Sequence, residues 1–92
     1  MNRAAALSRA QNAYALLAAG KTAEALALAR EAVGIDPSEI TSQTALGDIA
    51  AAMGQKDEAR KAWQAAIDSA RRMEPEAQVS VIPDLEGKLK KL

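Results

Sequence analysis

Apolar residues along this chain recur at steps of three and four and almost never alternate, the pattern of helices that bury one stripe. Leu7, Ala10, Tyr14 and Leu17 form the first stripe and predict a helix over about 3–19. Gly20 ends it, since glycine carries no Cβ penalty at a left-handed position after a helix. Thr22 is placed to cap a second helix, which presents Ala25, Leu26, Ala29, Ala32 and Val33. Asp36-Pro37 stops that helix, because the residue before a proline is driven out of the α region. Ser38 then caps a third helix over about 39–53, with Ile40, Leu46, Ile49 and Met53 offered for burial, and Gly54 ends it as Gly20 ends the first. A fourth helix over about 56–73 presents Ala59, Ala62, Trp63, Ala66, Ile67 and Ala70 and stops before Pro75.

The tail is read differently. Val79, Ile82, Leu85, Leu89 and Leu92 stand at helical spacing, with Asp84 and Glu86 early and Lys88, Lys90 and Lys91 late, the order a helix dipole favours. Pro83 suits a first turn, so the spacing predicts a last helix over about 83–91, or one begun earlier with a bend. Its apolar stripe has to cover something, and the open side of the preceding pair of helices is the surface at hand. Val79-Ser80-Val81-Ile82 is the one short stretch with strand character.

The four helices are one unit written twice. Gly20-Lys21-Thr22-Ala23-Glu24-Ala25 returns as Gly54-Gln55-Lys56-Asp57-Glu58-Ala59, and Ala32 returns as Ala66 at the same 34-residue offset. A period of this length belongs to stacked helix–turn–helix units, which bury a shared core between neighbours. The second proline stop comes four residues late (Pro37, then Pro75), which lengthens the fourth helix by about one turn. The tail carries no echo of either unit.

Composition narrows what such a stack could do. The chain has 92 residues, enough for one small domain, and its 49% hydrophobic content is largely alanine, the best helix former. Its 12 basic and 12 acidic residues cancel, so no broad field exists to neutralise nucleic-acid phosphates. Lys88, Lys90 and Lys91 read as a solvated helix end, not a nucleic-acid or membrane contact. Cysteine is absent, so there is no disulfide framework and no thiolate metal site. No apolar run reaches the roughly 18 residues of a membrane span, and the first residues lack the apolar core of a secretory signal. A cytoplasmic location is the default that remains.

Chemistry has little to stand on. Without histidine and cysteine the commonest general base, metal ligand and thiol nucleophile are missing, so neither an enzyme nor a cofactor or metal site is expected. Asp57 and Glu58 are adjacent and point to different helix faces, a poor acid–base pair. Lys56, Arg60, Lys61, Arg71 and Arg72 interleave with Asp57, Glu58, Asp68 and Glu74 as an ion-paired solvent face.

Leu46-Gly47, Gly54, Ala59, Trp63 and Ala66 in the second unit, with Leu16, Gly20, Ala25, Ala32 and Pro37 in the first, give the chain a resemblance to the tetratricopeptide repeat family. It departs from that pattern at Asn12-Ala13, Ala29 and Ala50. The resemblance implies an all-α fold of two helix–turn–helix repeats, about 6–39 and 40–73, in a right-handed solenoid, with 74–92 as a capping segment of one domain. Gly47, Ala59 and Ala66 would sit where paired helices press together, and Trp63 would be a packing residue inside the second unit. Carried over position by position, the inner groove would present Leu7, Ala10, Tyr14, Leu17 and Ala18, then Thr41, Thr44, Asp48 and Ala52.

The function this implies is a non-enzymatic protein–protein interaction module that takes a peptide or a partner helix in the groove. The competing readings make the chain the end of a longer array or a self-associating unit, since about three repeats are normally needed for a stable stack. For Tyr14 and Leu17 the plain alternative is core packing. A clamp for a carboxylate-ended peptide is disfavoured, because Asp48 would repel it.

Overall fold

The computed structural model of the protein describes residues 2–73 and 75–92, with Ala77 described by its helix alone. Five helices follow one another: α1 (Arg3–Ala18), α2 (Thr22–Ile35), α3 (Ile40–Ala52), α4 (Lys56–Ala70) and α5 (Pro75–Lys90), with no strand among the described residues. The Val79–Ile82 stretch is helical. α1 pairs with α2 and α3 with α4, α3 also touches α1 and α2, and α5 lies on α4. This is a helical-repeat solenoid closed by a fifth helix.

Both repeat turns close in the same way. Gly20 (φ 81°) and Gly54 (φ 77°) take the left-handed conformation. The N–H groups of Gly20 and Lys21 return to the carbonyls of Leu17 and Leu16, and those of Gly54 and Gln55 to Ala51 and Ala50. Two carbonyls at each helix end are thereby satisfied without a side chain.

The caps at the other helix ends differ from expectation. Lys21, not Thr22, occupies the cap of α2 and makes no side-chain capping bond, and Thr22 is already helical. Ser38 instead donates its N–H and hydroxyl to Asp36 Oδ1 (3.1 and 2.8 Å), which holds the Asp36 carboxyl below its ordinary range. The α3 cap is Glu39. Its carboxylate accepts from the N–H of Thr41 and of Ser42, both at 2.9 Å, and from the Ser42 hydroxyl at 2.7 Å. Glu39 is buried, so its removal strands donors that water cannot reach easily. Glu39→Ala is therefore expected to cost about 1–2 kcal/mol in urea unfolding, and Thr22→Ala to be near neutral. Equal losses in the two variants would contradict this assignment of the cap.

The core is built on alanine. Ala6, Ala10, Ala13, Ala25, Ala29 and Ala32 are fully buried in the first pair of helices, which lets their axes approach closely. The second pair adds bulk through Ile49, Trp63 and Ile67, joined by Leu85 of α5. Gly47 lies directly under Trp63, and a Cβ there would stand 2.3 Å from the indole Cδ1 and Nε1. Met53, expected to be buried, is 37% exposed because it follows the last turn of α3.

α4 ends at Ala70, three residues short of the expected limit, and α5 starts at Pro75, eight before it. Pro75 fits a first helical position, where its missing N–H has no intrahelical partner to lose. Pro83 lies inside α5 on an exposed side, where water can reach the carbonyl it leaves free. The earlier start shifts the buried stripe to Val81, Ile82, Leu85, Leu89 and Leu92, and Val79 is 74% exposed.

Candidate functional site

α3 packs beside α1, and α5, packed on α4, reaches α3 through its side chains, so that residues of the three helices meet on one face. The helices are linked by a ladder of polar side chains one rung deep. The Tyr14 hydroxyl donates to Asp48 Oδ2 at 2.7 Å, across the 34-residue offset that relates the two repeats. Lys88 Nζ, on α5, donates to Asp48 Oδ1 at 3.0 Å and Oδ2 at 3.3 Å. Trp63 Nε1 reaches Oδ1 from α4, also at 3.0 Å. One carboxylate thus accepts from three other helices. It is only 22% exposed, so these bonds compete weakly with water.

The ladder fixes the register of α5 against α3. Asp48 pairs with Lys88, and one turn earlier Thr44 and Asp84 line the same cleft, so the two helices run in the same direction at an offset of 40 residues. The cleft has a volume of about 320 Å³ and is bounded by Thr44, Ser80, Val81, Asp84 and Leu85. The Asp84 carboxylate is 68% exposed and stands 3.6 Å from Lys88 Nζ.

The residues that the sequence assigns to the groove divide between this face and the core. Ala10 is fully buried, and Leu17 is half-buried against the main core. Leu7 is half-buried. Tyr14 packs its ring on the Ala10, Ala32 and Ala45 cluster while its hydroxyl faces Asp48. Burial first, and the Asp48 hydrogen bond second, push the Tyr14 phenol well above its ordinary range. Thr41 is half-buried and held by Glu39, and Thr44 opens onto the cleft. Ala18 and Ala52 are exposed.

Trp63 is 5% exposed and packs in the core, as the resemblance implies. Lys88 is a correction. It is not a solvated helix end but a 30% exposed cation tied to Asp48 and Asp84, while Lys90 and Lys91 are exposed. The signal for it was Gly87-Lys88, which follows Gly47-Asp48 at the 40-residue offset that a search at 34 misses.

Charged pairs elsewhere hold helices together. Arg30 of α2 forks onto Glu58 of α4 at 2.9 and 2.6 Å and keeps that carboxyl below its ordinary range. Arg9 of α1 bonds Glu31 of α2 at 2.9 Å. Arg60–Asp57 and Arg71–Asp68 pair within α4 and just beyond its end, on the expected solvent face, and Glu74 of that face lies outside the described residues. Among the described residues no group of three or more His, Cys, Asp or Glu could hold a metal ion, and no helix is long and apolar enough to cross a membrane.

The two glycine-closed turns, the Gly47–Trp63 contact and the parallel inner helices define a repeat architecture, and the family model for the tetratricopeptide repeat matches residues 16–79. The chain belongs to the tetratricopeptide repeat family. No curated protein and no solved structure was found to match it. Tetratricopeptide repeats generally mediate protein–protein interaction and are typically non-enzymatic scaffolds. The match takes in the end of α1, all of α2, α3 and α4, and the start of α5.

Proposed function

We propose that this tetratricopeptide repeat domain is a non-enzymatic module that binds an extended peptide or a partner helix across the inner face of α1, α3 and α5. The supporting observation is the open cleft between Thr44 and the Val81, Asp84 and Leu85 side of α5, held at a fixed width by the Asp48–Lys88 pair. A groove set by internal bonds is preorganised, and a ligand then loses less free energy to ordering its host. In this reading Leu7 and Tyr14 form its apolar side, backed by the fully buried Ala10 and by Leu17 on the core, with Thr41 and Thr44 as its hydroxyl-bearing floor and Asp48 as its internal strut. The domain takes in residues 1–92, with units of about 6–39 and 40–73.

The rival reading, a self-associating unit or the end of a longer array, draws less support from the surface. Among the described residues the large apolar side chains that are exposed are Met53, just past the end of α3, and Val79, in the first half of α5. α5 also turns Pro83, Glu86 and Lys90 outward, a polar outer side that suits a cap.

The test is a peptide selected from a random displayed library on the 92-residue chain and titrated against Thr44→Tyr, which fills the cleft. Affinity should fall at least tenfold, while Lys61→Ala on α4 leaves it unchanged. Equal affinity for Thr44→Tyr and the parent chain would remove the groove as the binding site.

A further inference from the structure

We infer that the segment this groove prefers is cationic, with an arginine whose guanidinium sits on Asp84 and whose methylenes lie in the cleft between Thr44 and Val81. The inference rests on the groove reading above and adds the chemistry of the ligand.

It follows from the charges on the inner face and from which of them are already used. The inward positions of α1 and α3 (Leu7, Ala10, Tyr14, Leu17, Thr41, Thr44 and Asp48) include no basic residue. α5 adds Asp84 and Lys88, so two carboxylates face one ammonium. The next cations are Lys90, exposed on the last turn of α5, and Lys91, exposed just past its end, two turns beyond Asp84. The ammonium is committed to Asp48, at 3.0 Å, and stands beyond hydrogen-bond length from Asp84, at 3.6 Å. Asp48 is filled by the Tyr14 hydroxyl, the Trp63 indole and Lys88. Asp84 is therefore the carboxylate with room for a new donor, and at 68% exposure it stays accessible from the mouth of the cleft.

The walls supply the rest of the match. Leu85 is 1% exposed and Val81 half-buried, an apolar base for an aliphatic stem, and Thr44 carries a hydroxyl on the opposite side. The volume of about 320 Å³ lies at the small end of ligand sites and suits one long side chain. A guanidinium is favoured over an ammonium because its planar fork meets a carboxylate with two bonds, and its hydration is weaker. A segment ending in a carboxylate meets repulsion from Asp84 and finds the Lys88 ammonium already bound.

The experiment is an amide-shift NMR titration of the full 92-residue chain with three peptides, acetyl-Leu-Ala-Xaa-Ala-Leu-amide, in which Xaa is arginine, its neutral isostere citrulline, or glutamate. The arginine peptide should shift Thr44, Val81 and Leu85 at concentrations at least tenfold below the other two, and this advantage should shrink as salt rises. Asp84→Asn should abolish the advantage, whereas Asp57→Asn, on the exposed start of α4, should keep it. Citrulline or glutamate peptides that bind the same residues equally well would overturn the charge preference and leave the groove reading standing. An arginine peptide that shifts residues away from α1, α3 and α5 would overturn the site. Peptides that all fail to shift this face would overturn the inference, and the Thr44→Tyr titration then decides the groove reading separately.

Discussion

Gly47→Ala is expected to destabilise the fold by about 2–4 kcal/mol, an unusual loss for one added methyl group. The new Cβ would lie 2.3 Å from Trp63 Cδ1 and Nε1 and 2.9 Å from Cε2, inside any permitted contact. The atoms it meets belong to a rigid ring that is 5% exposed, so there is no flexible end to bend aside. Either α4 moves off α3 or the indole turns and gives up its bond to Asp48. Overpacking of this kind costs about 1–3 kcal/mol, and the lost hydrogen bond adds about 1. Gly34→Ala provides the control. It too lies in a helix, but nothing stands within 4 Å of its added Cβ, so the change should stabilise by about 0.5–1 kcal/mol through helix propensity alone. Urea unfolding followed by the single tryptophan reads both variants, and the emission of Gly47→Ala should shift as the indole leaves its site. A loss below about 1 kcal/mol for Gly47→Ala would mean that the helices part freely and that the contact is not what sets their spacing.

That contact was legible in the sequence, and the reason is physical. The resemblance to the tetratricopeptide pattern implies packing places for Gly47, Ala59, Trp63 and Ala66, and sterics explain why such a pattern carries over, since a small residue is needed wherever a large one crosses between paired helices. The two turn glycines were legible for the same reason, since a left-handed φ has one inexpensive residue. The helix caps were not. Thr22 and Ser38 have the right side chains, but a cap depends on where the preceding chain leaves the helix axis, and the Asp36-Pro37 corner puts Glu39 at the end of α3 and turns Ser38 onto Asp36. The start of α5 stays open in the sequence for a different cause. Pro83 suits either a first turn or a bend inside a helix begun earlier, and the local rule does not weigh whether the freed carbonyl faces water. The structure has the earlier start, with Pro83 on an exposed side. Only Val81 lies before Pro83, whereas Asp84 and Lys88 fall inside the later start as well and read there as charges along a helix dipole. Together the three supply the third wall of the candidate groove. The residues assigned from α1 and α3 stand around that face, with Ala10 and Leu17 drawn into the core.

Asp48→Ala should be the second severe variant, with an expected loss of about 2–4 kcal/mol against a total stability of about 5–15 kcal/mol for a domain of this kind. The parts are unequal. Trp63 is buried, so its Nε1–H loses its acceptor with little access to water, at about 1–3 kcal/mol. Lys88 is 30% exposed and keeps Asp84 nearby, so its share is about 0–1 kcal/mol. Lys88→Met should accordingly cost under about 1 kcal/mol, and a loss as large as that of Asp48→Ala would place the value of the hub in the ion pair, not in the indole. A second readout comes from the single tyrosine. Its phenol is held above the ordinary value of about 10, by burial first and by Asp48 second, so the folded chain binds that proton more tightly than the unfolded one. The resulting stability is fully present below about pH 10 and is lost as pH rises toward the folded value. In Asp48→Ala the phenolate absorbance should appear at lower pH than in the parent chain, yet still above that of free tyrosine, because burial is the larger cause. An unchanged titration would mean that Asp48 exerts no hold on Tyr14, and the rung joining α1 to α3 would then be packing alone.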